Sequence, residues 1–219
     1  FCYARQDRKD QPRVSIGAKL VANLLEAAGA HRVITMDLHA GQIQGFFDIP
    51  LDNLEATTVF IPYIRSLNLE NITVCSPDMG GVTRARKFAQ HLDANIVLVD
   101  KYRERANVVS SMQLIGEVTN RNVIIVDDIV DTAGTLCKAA EFLLERGARS
   151  VRAAITHPIL SGQAIERIRT SHLTELLITD TIPHGELPEN IIVLSISSIF
   201  AQALKNIHNH ESVSSLFLS

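Results

Sequence analysis

The chain has 219 residues, enough for one large or two small domains, and a formal net charge of -3. That balance gives no basis for binding nucleic acid or an anionic membrane through charge, and no apolar run approaches the length of a membrane span. Cys2, Cys75 and Cys137 are odd in number and lack metal-ligand spacing, so free thiols in a reducing cytoplasm are expected.

The chain opens on FCYARQDRKD, with neither a methionine nor a signal-peptide pattern. Phe1, Cys2 and Tyr3 read as the end of a buried strand, so a fragment that starts inside a domain is expected. Ser15 to Gly29 reads as a helix capped by Ser15 and ended by Gly29, with Ile16, Leu20, Leu24 and Ala28 on one inward face. RVITMDLHA reads as a buried strand ending near Asp37 and His39. A domain boundary is weakly marked at LDNLEATTVF. NITVCSPDMGG gives a strand ending near Asp78, VTRARKFAQHL a helix, and NIVLVD a strand that leads to the polar stretch KYRERANVVSS. NVIIVDDIVDTAGT is a strand whose apolar run ends in acids, and GTLCKAAEFLLERG is its helix, stopped by Gly147. Strands VRAAITH, ELLITD and IIVLSI follow. The last helix is SSIFAQALKNIHNH, with Phe200, Ala203, Leu204 and Ile207 facing inward.

Continuous apolar strands alternating with helices predict an α/β fold with a parallel sheet covered on both faces. Ligands in such sheets bind at the carboxyl ends of the strands. Three strands end alike, in ITMDLHAG, TVCSPDMGG and IIVDDIVDTAGT: an apolar run, then an acid or histidine, then small residues. That repetition predicts a site there.

The richest of the three is DDIVDTAGT. Thr132, Ala133, Gly134 and Thr135 form a small-residue turn before a helix, whose N–H groups can converge on a phosphate. Asp127 and Asp128 beside it suit sugar hydroxyls or a hydrated cation. A plain helix cap needs one acid, whereas this segment spends three, Asp131 included. His39 and Asp78 stand at what read as neighbouring strand ends and could share a metal. Magnesium, however, prefers oxygen ligands, so chemistry alone does not predict a histidine ligand. ARQDRKDQPR is either a solvated loop with local ion pairs or a loop facing a polyphosphate, where an arginine fork grips phosphate oxygens. In DKYRERANV, Lys101, Arg103 and Arg105 alternate. The stretch reads equally as a basic flap over a transferring phosphoryl group or as an exposed hairpin.

Taken together, YARQDRK, DLHAGQIQGFFDIP, SPDMGGVTRAR, DKYR, VDDIVDTAGT and HNHESVSSLF resemble the ribose-phosphate pyrophosphokinase family along the whole chain. The resemblance implies two phosphoribosyltransferase-like domains with parallel sheets flanked by helices, the first of them incomplete. The remainder of the first would span 1–54 and the second 55–219, with the final segment returning to the first. It implies transfer of the diphosphoryl group of ATP to the C1 hydroxyl of ribose 5-phosphate, with magnesium as cofactor. It implies a homo-oligomer, commonly a hexamer, with a nucleotide site shared between subunits, and no nucleic-acid or membrane partner. Carried over, Arg5 and Gln6 contact ATP, and His39 and Asp78 match metal positions. Lys101 and Arg103 match the catalytic pair. Arg103, Asp127, Asp128, Asp131, Thr132, Ala133, Gly134 and Thr135 hold ribose 5-phosphate. Tyr102 departs from the family, which often has a basic residue there. Two alternatives remain: a non-catalytic regulatory homologue that co-assembles with the synthase, and a phosphoribosyltransferase that consumes the diphosphate.

Overall fold

The computed structural model describes residues 3–102 and 111–218. Of Phe1, Cys2 and Tyr3, expected to end a buried strand, the first two lie outside them, and Tyr3 is corrected: it sits in a turn at φ 59 and is 62% exposed. The chain divides into two compact units, one of Phe1–Ala56 with Ile199–Ser219, the other of Thr57–Ser198.

In the first unit, helix α1 (Gly17–Ala27) is followed by strand β1 (Val33–Met36), a 3-10 turn over Gly41–Phe46, and strand β2 (Leu51–Leu54), which pairs in parallel with β1. Two expectations for α1 fail. Its N-cap is Ile16 with no side-chain cap bond, so Ser15 does not cap it. The leucine stripe also points outward: Leu20 and Leu24 are 58% and 59% exposed, while Gly17, Ala18 and Ala22 are buried. The helix packs through this small face, which lets its backbone come close to Leu38, Ile43 and Phe47. Lys19 Nζ ties the two elements by donating to Phe46 O at 2.6 Å. Gly29 ends the helix region as expected, at φ +96.

The second unit opens with helix α2 (Thr57–Ser66), strand β3 (Ile72–Ser76), helix α3 (Val82–Leu92) and strand β4 (Asn95–Tyr102). Strand β5 (Ser111–Ile115), strand β6 (Asn122–Val130), helix α4 (Gly134–Glu145) and strand β7 (Ser150–Pro158) come next. Helix α5 (Ala164–Thr170), strand β8 (Glu175–Thr179) and strand β9 (Ile191–Leu194) complete it. Among the described residues these strands form one sheet in the order β5-β4-β3-β6-β7-β8-β9. All neighbours are parallel except β4 and β5, so the sheet is mixed where an all-parallel one was expected. β6 lies at its centre, and Val123, Ile124, Ile125 and Val126 are buried. This is the two-sided burial that a continuous apolar strand demands. α4 covers one face with Leu136, Ala139, Ala140 and Leu143. Cys75 lies in this core, where burial pushes its thiol up to about 12.

Helix α6 (Ser197–His208) leads back to the first unit. Ala203 is buried as expected, but Leu204 is 59% exposed, a further correction to the apolar-stripe reading. Asn206, buried on the same helix, donates to Ser212 O at 2.8 Å and holds the chain's last turn. No described helix is long and apolar enough to cross a membrane.

Candidate active site

The strand order reverses between β3 and β6. From β3 the chain steps outward to β4 and β5, then returns to the other side of β3 as β6. In an open α/β sheet this switch point, outside the carboxyl ends of the strands, is where ligands bind. Asp78 follows β3, and Asp127, Asp128 and the 131–135 turn lie at the end of β6. The sequence therefore brings these acids to one crevice through topology.

Asp78 shapes the turn into α3. Its Oδ1 accepts from Gly81 N–H at 2.9 Å, and its carbonyl accepts from Ser76 Oγ at 2.7 Å. A Cβ at Gly81 would lie 2.7 Å from Ser76 Oγ, so a larger residue there would displace the hydroxyl that bonds Asp78 O. The carboxylate is otherwise directed to an exposed surface.

β6 does not stop at the acids. Its pairing with β7 runs through Asp127 (opposite Ile155) to Val130 (opposite Pro158), so the strand continues past the end of its apolar run. Ladder bonds to β7 compensate for continuing the strand through polar residues. Asp128 is buried, 4% exposed. Its N–H donates to Asp127 Oδ1 at 2.9 Å. Arg84 Nη1, from the first turn of α3, lies 3.6 Å from Asp127 Oδ1 and 3.4 Å from Asp128 Oδ1. Burial, then the hydrogen bond and charge of Asp128, push the Asp127 carboxyl up to about 7, against the pull of Arg84. Arg84 was missed from sequence. The available signal was a cation in the first turn of a helix, where the macrodipole disfavours it.

The turn after β6 opens α4. Ala133 is buried and left-handed, φ 59 and ψ 0, and Gly134 is the first helical residue. Thr132 and Thr135 are exposed. The Asp131 carboxylate accepts from Ser161 Oγ, and Arg167 Nη1 donates to Thr132 O at 2.7 Å. The neutral backbone N–H groups are thus better suited than Asp131's side chain to receive an anion.

In the first unit a cleft of about 590 Å³ is lined by Arg5, Gln6, Arg8, Arg13 and His39, among others. Asp7 is buried and accepts from Gln42 Nε2 at 2.5 Å, which anchors the loop. Gln6 packs so closely on Gly17 that any side chain there would collide with Gln6 Oε1. His39 is exposed and follows β1, which belongs to the other sheet, so His39 and Asp78 do not stand on neighbouring strands. The topology overturns that part of the shared-metal argument. Lys101 lies in β4, its backbone opposite Met112 in the antiparallel pair with β5, so this residue stands in a strand; the sequence left a basic flap and an exposed hairpin equally open. Arg103 and Arg105 lie outside the described residues.

Among the described residues no group of three or more His, Cys, Asp or Glu side chains is gathered to hold a metal. Magnesium usually keeps several waters and binds through one or two carboxylates plus substrate phosphates. An exposed Asp78 fits that donor set. His39, a nitrogen donor, fits it less well.

A mostly parallel sheet with acids and a small-residue turn at its switch point has the fold of a phosphoribosyltransferase-type α/β protein. Residues 102–218 match the family described as the phosphoribosyl synthetase-associated domain, and residues 1–29 the N-terminal domain of ribose phosphate pyrophosphokinase. The ribose-phosphate pyrophosphokinase of Campylobacter jejuni is 57% identical over 218 residues, covering 100% of this chain and 71% of that protein. That of Helicobacter pylori strain J99 is 55% identical, covering 99% and 68%. The crystal structure of phosphoribosylpyrophosphate synthetase from Mycobacterium smegmatis superposes with a TM-score of 0.90 at 36% identity, covering 96% of this chain and 70% of that one. The chain belongs to the ribose-phosphate pyrophosphokinase family.

Proposed function

We infer that the chain transfers the diphosphoryl group of ATP to the C1 hydroxyl of ribose 5-phosphate, giving phosphoribosyl diphosphate and AMP. The observation that carries this reading is the crevice between β3 and β6, where Arg84, two adjacent acids and an anion-receptive turn lie together.

The roles follow from the chemistry of each group. The N–H groups of the 131–135 turn, with the hydroxyls of Thr132 and Thr135, receive the 5-phosphate. Asp127 accepts from the ribose hydroxyls, and Asp128 holds it in position through the backbone bond and the shared Arg84. This orients the C1 hydroxyl, whose oxygen forms a bond to the β-phosphorus as the bond from that phosphorus to the oxygen bridging the α-phosphorus breaks. AMP leaves and the hydroxyl proton is released. Arg5 and Gln6 contact ATP, a role supported by the arginine-lined cleft, where guanidinium forks match phosphate oxygens. Lys101 and Arg103 neutralise charge on the transferring group. Asp78 would hold magnesium, which when bound would screen the phosphates' charge, and His39 is the other residue that the family resemblance assigns to a metal position.

The decisive assay follows AMP formation by the purified protein with ATP and magnesium. AMP is expected only when ribose 5-phosphate is present. Release of pyrophosphate that depends on a nucleobase, with no AMP, would overturn the reading in favour of a phosphoribosyltransferase. The intact turn and acids speak against a purely regulatory homologue, which needs neither. We read the assembly as a homo-oligomer, a hexamer, with the nucleotide site shared between subunits. Light scattering is expected to give a hexamer's mass, and full activity in a monomer would remove the shared site.

A further inference from the structure

We propose that Ser161 and Arg167 are positioning residues for ribose 5-phosphate, holding the turn after β6 in the backbone form that receives a phosphate. The proposal rests on the reading of residues 131–135 as the 5-phosphate cradle.

The turn needs external support. Ala133 occupies the left-handed region without being glycine, a conformation that persists only where the surroundings over-determine it. α4 has no N-cap side-chain bond to supply that support. The segment between β7 and α5, with Arg167 of α5 itself, does supply it. The N–H groups of Ile159 and Leu160 both donate to Val130 O, at 2.9 and 3.2 Å. Ser161 N–H donates to Asp131 O at 3.0 Å, and Arg167 Nη1 to Thr132 O at 2.7 Å. Three consecutive carbonyls leading into Ala133 are thereby engaged from one side. A turn that binds an anion through its N–H groups must keep its carbonyls occupied elsewhere, because a carbonyl facing the anion repels it.

Charge points the same way. A carboxylate turned toward the phosphate would oppose binding, and Ser161 Oγ, by donating to the Asp131 carboxylate, ties it to the segment between β7 and α5 instead. Arg167 adds a positive charge at the next residue's carbonyl, where hydrogen bonds from a charged donor are the stronger kind. Arg167 is exposed and lies in α5, so it contributes little to the core. Its guanidinium reaches the turn through a surface side-chain hydrogen bond to Thr132 O, which makes it a clean probe.

The test compares Arg167→Ala, Arg167→Lys, Ser161→Ala and Thr135→Val with the parent protein. It measures Kd for ribose 5-phosphate, Kd for ATP with magnesium, and Tm. Arg167→Ala is expected to weaken ribose 5-phosphate about tenfold, the effect of one charge-assisted hydrogen bond, with the ATP Kd and Tm unchanged. Arg167→Lys restores part of the loss, and Ser161→Ala gives the same selective pattern. An unchanged Kd for ribose 5-phosphate in Arg167→Ala overturns the proposal. So does an equal loss toward ATP accompanied by a lower Tm, the mark of a general structural role. Thr135→Val reports on the cradle itself. If it leaves ribose 5-phosphate binding intact, the cradle reading fails and the positioning role fails with it. If it weakens binding while Arg167→Ala does not, the positioning role alone is lost.

Discussion

Replacing Lys101 with alanine is expected to lower turnover by about 10³- to 10⁵-fold, the range that a single cation supplies to a transferring phosphoryl group. Such reactions leave little covalent work for the protein. Catalysis is positioning plus neutralisation of the charge spread over the group in flight. A cation that meets the group only in the transition state affects kcat and leaves ground-state affinity nearly untouched. The backbone of Lys101 is fixed in β4 opposite Met112, so its starting point is set by the sheet. Single-turnover AMP formation, with the Kd for ribose 5-phosphate measured alongside, checks this. A loss below tenfold, or a higher KM with unchanged kcat, removes the proposed role.

Asp127→Ala is expected to weaken ribose 5-phosphate about a hundredfold while stabilising the fold at neutral pH. The affinity figure reflects two hydrogen bonds to a charged acceptor, each about 1.5 kcal/mol. The stability gain follows from linkage. The Asp127 carboxyl is pushed up to about 7, far above its ordinary value of 3.8. Between those values the folded state keeps a proton that the unfolded state has lost, so the folded state binds more protons. Stability therefore falls as pH rises through that window. The contribution is fully present below the ordinary value and is gone above about 7. In Asp127→Ala this fall disappears, and melting curves from pH 4 to pH 8 reveal it as a flatter profile. A parent protein whose Tm rises steadily across the window at this site's expense, with no change in slope on substitution, contradicts the assignment. Binding and stability thus pull Asp127 in opposite directions, as expected where like charges are gathered for a ligand.

Much of the second unit was legible in the sequence. α3 spans the residues read as a helix, and α4 ends before Gly147, whose φ of +89 suits glycine. β6 stood out because its four consecutive aliphatic side chains leave no polar face. The rest was hidden for physical reasons. α2 carries Pro62 inside it, which breaks the expected pattern of a helix. α5 has 7 residues, too few for its periodicity to emerge. β2 and β5 are short, and each is defined by its pairing with the strand before it rather than by a pattern of its own. The outward-facing Leu20 and Leu24 show that periodicity finds an apolar stripe without saying what covers it. At the site, the acids and the turn were legible from composition. Arg84, Ser161 and Arg167 were not, because each acts on β6 or its turn from a different element.

Because β6 continues past its acids, Asp127 and Asp128 hang from the most deeply embedded strand of the sheet rather than from a loop. Under the role proposed for these acids, ligand recognition inherits the rigidity of the core, and the entropy of ordering the carboxylates is settled when the chain folds. The same arrangement narrows mutational tolerance. A substitution that loosens the β6–β7 ladder far from the crevice is then expected to register as lost affinity, so that drift in the hydrophobic interior would be policed by the substrate as well as by stability.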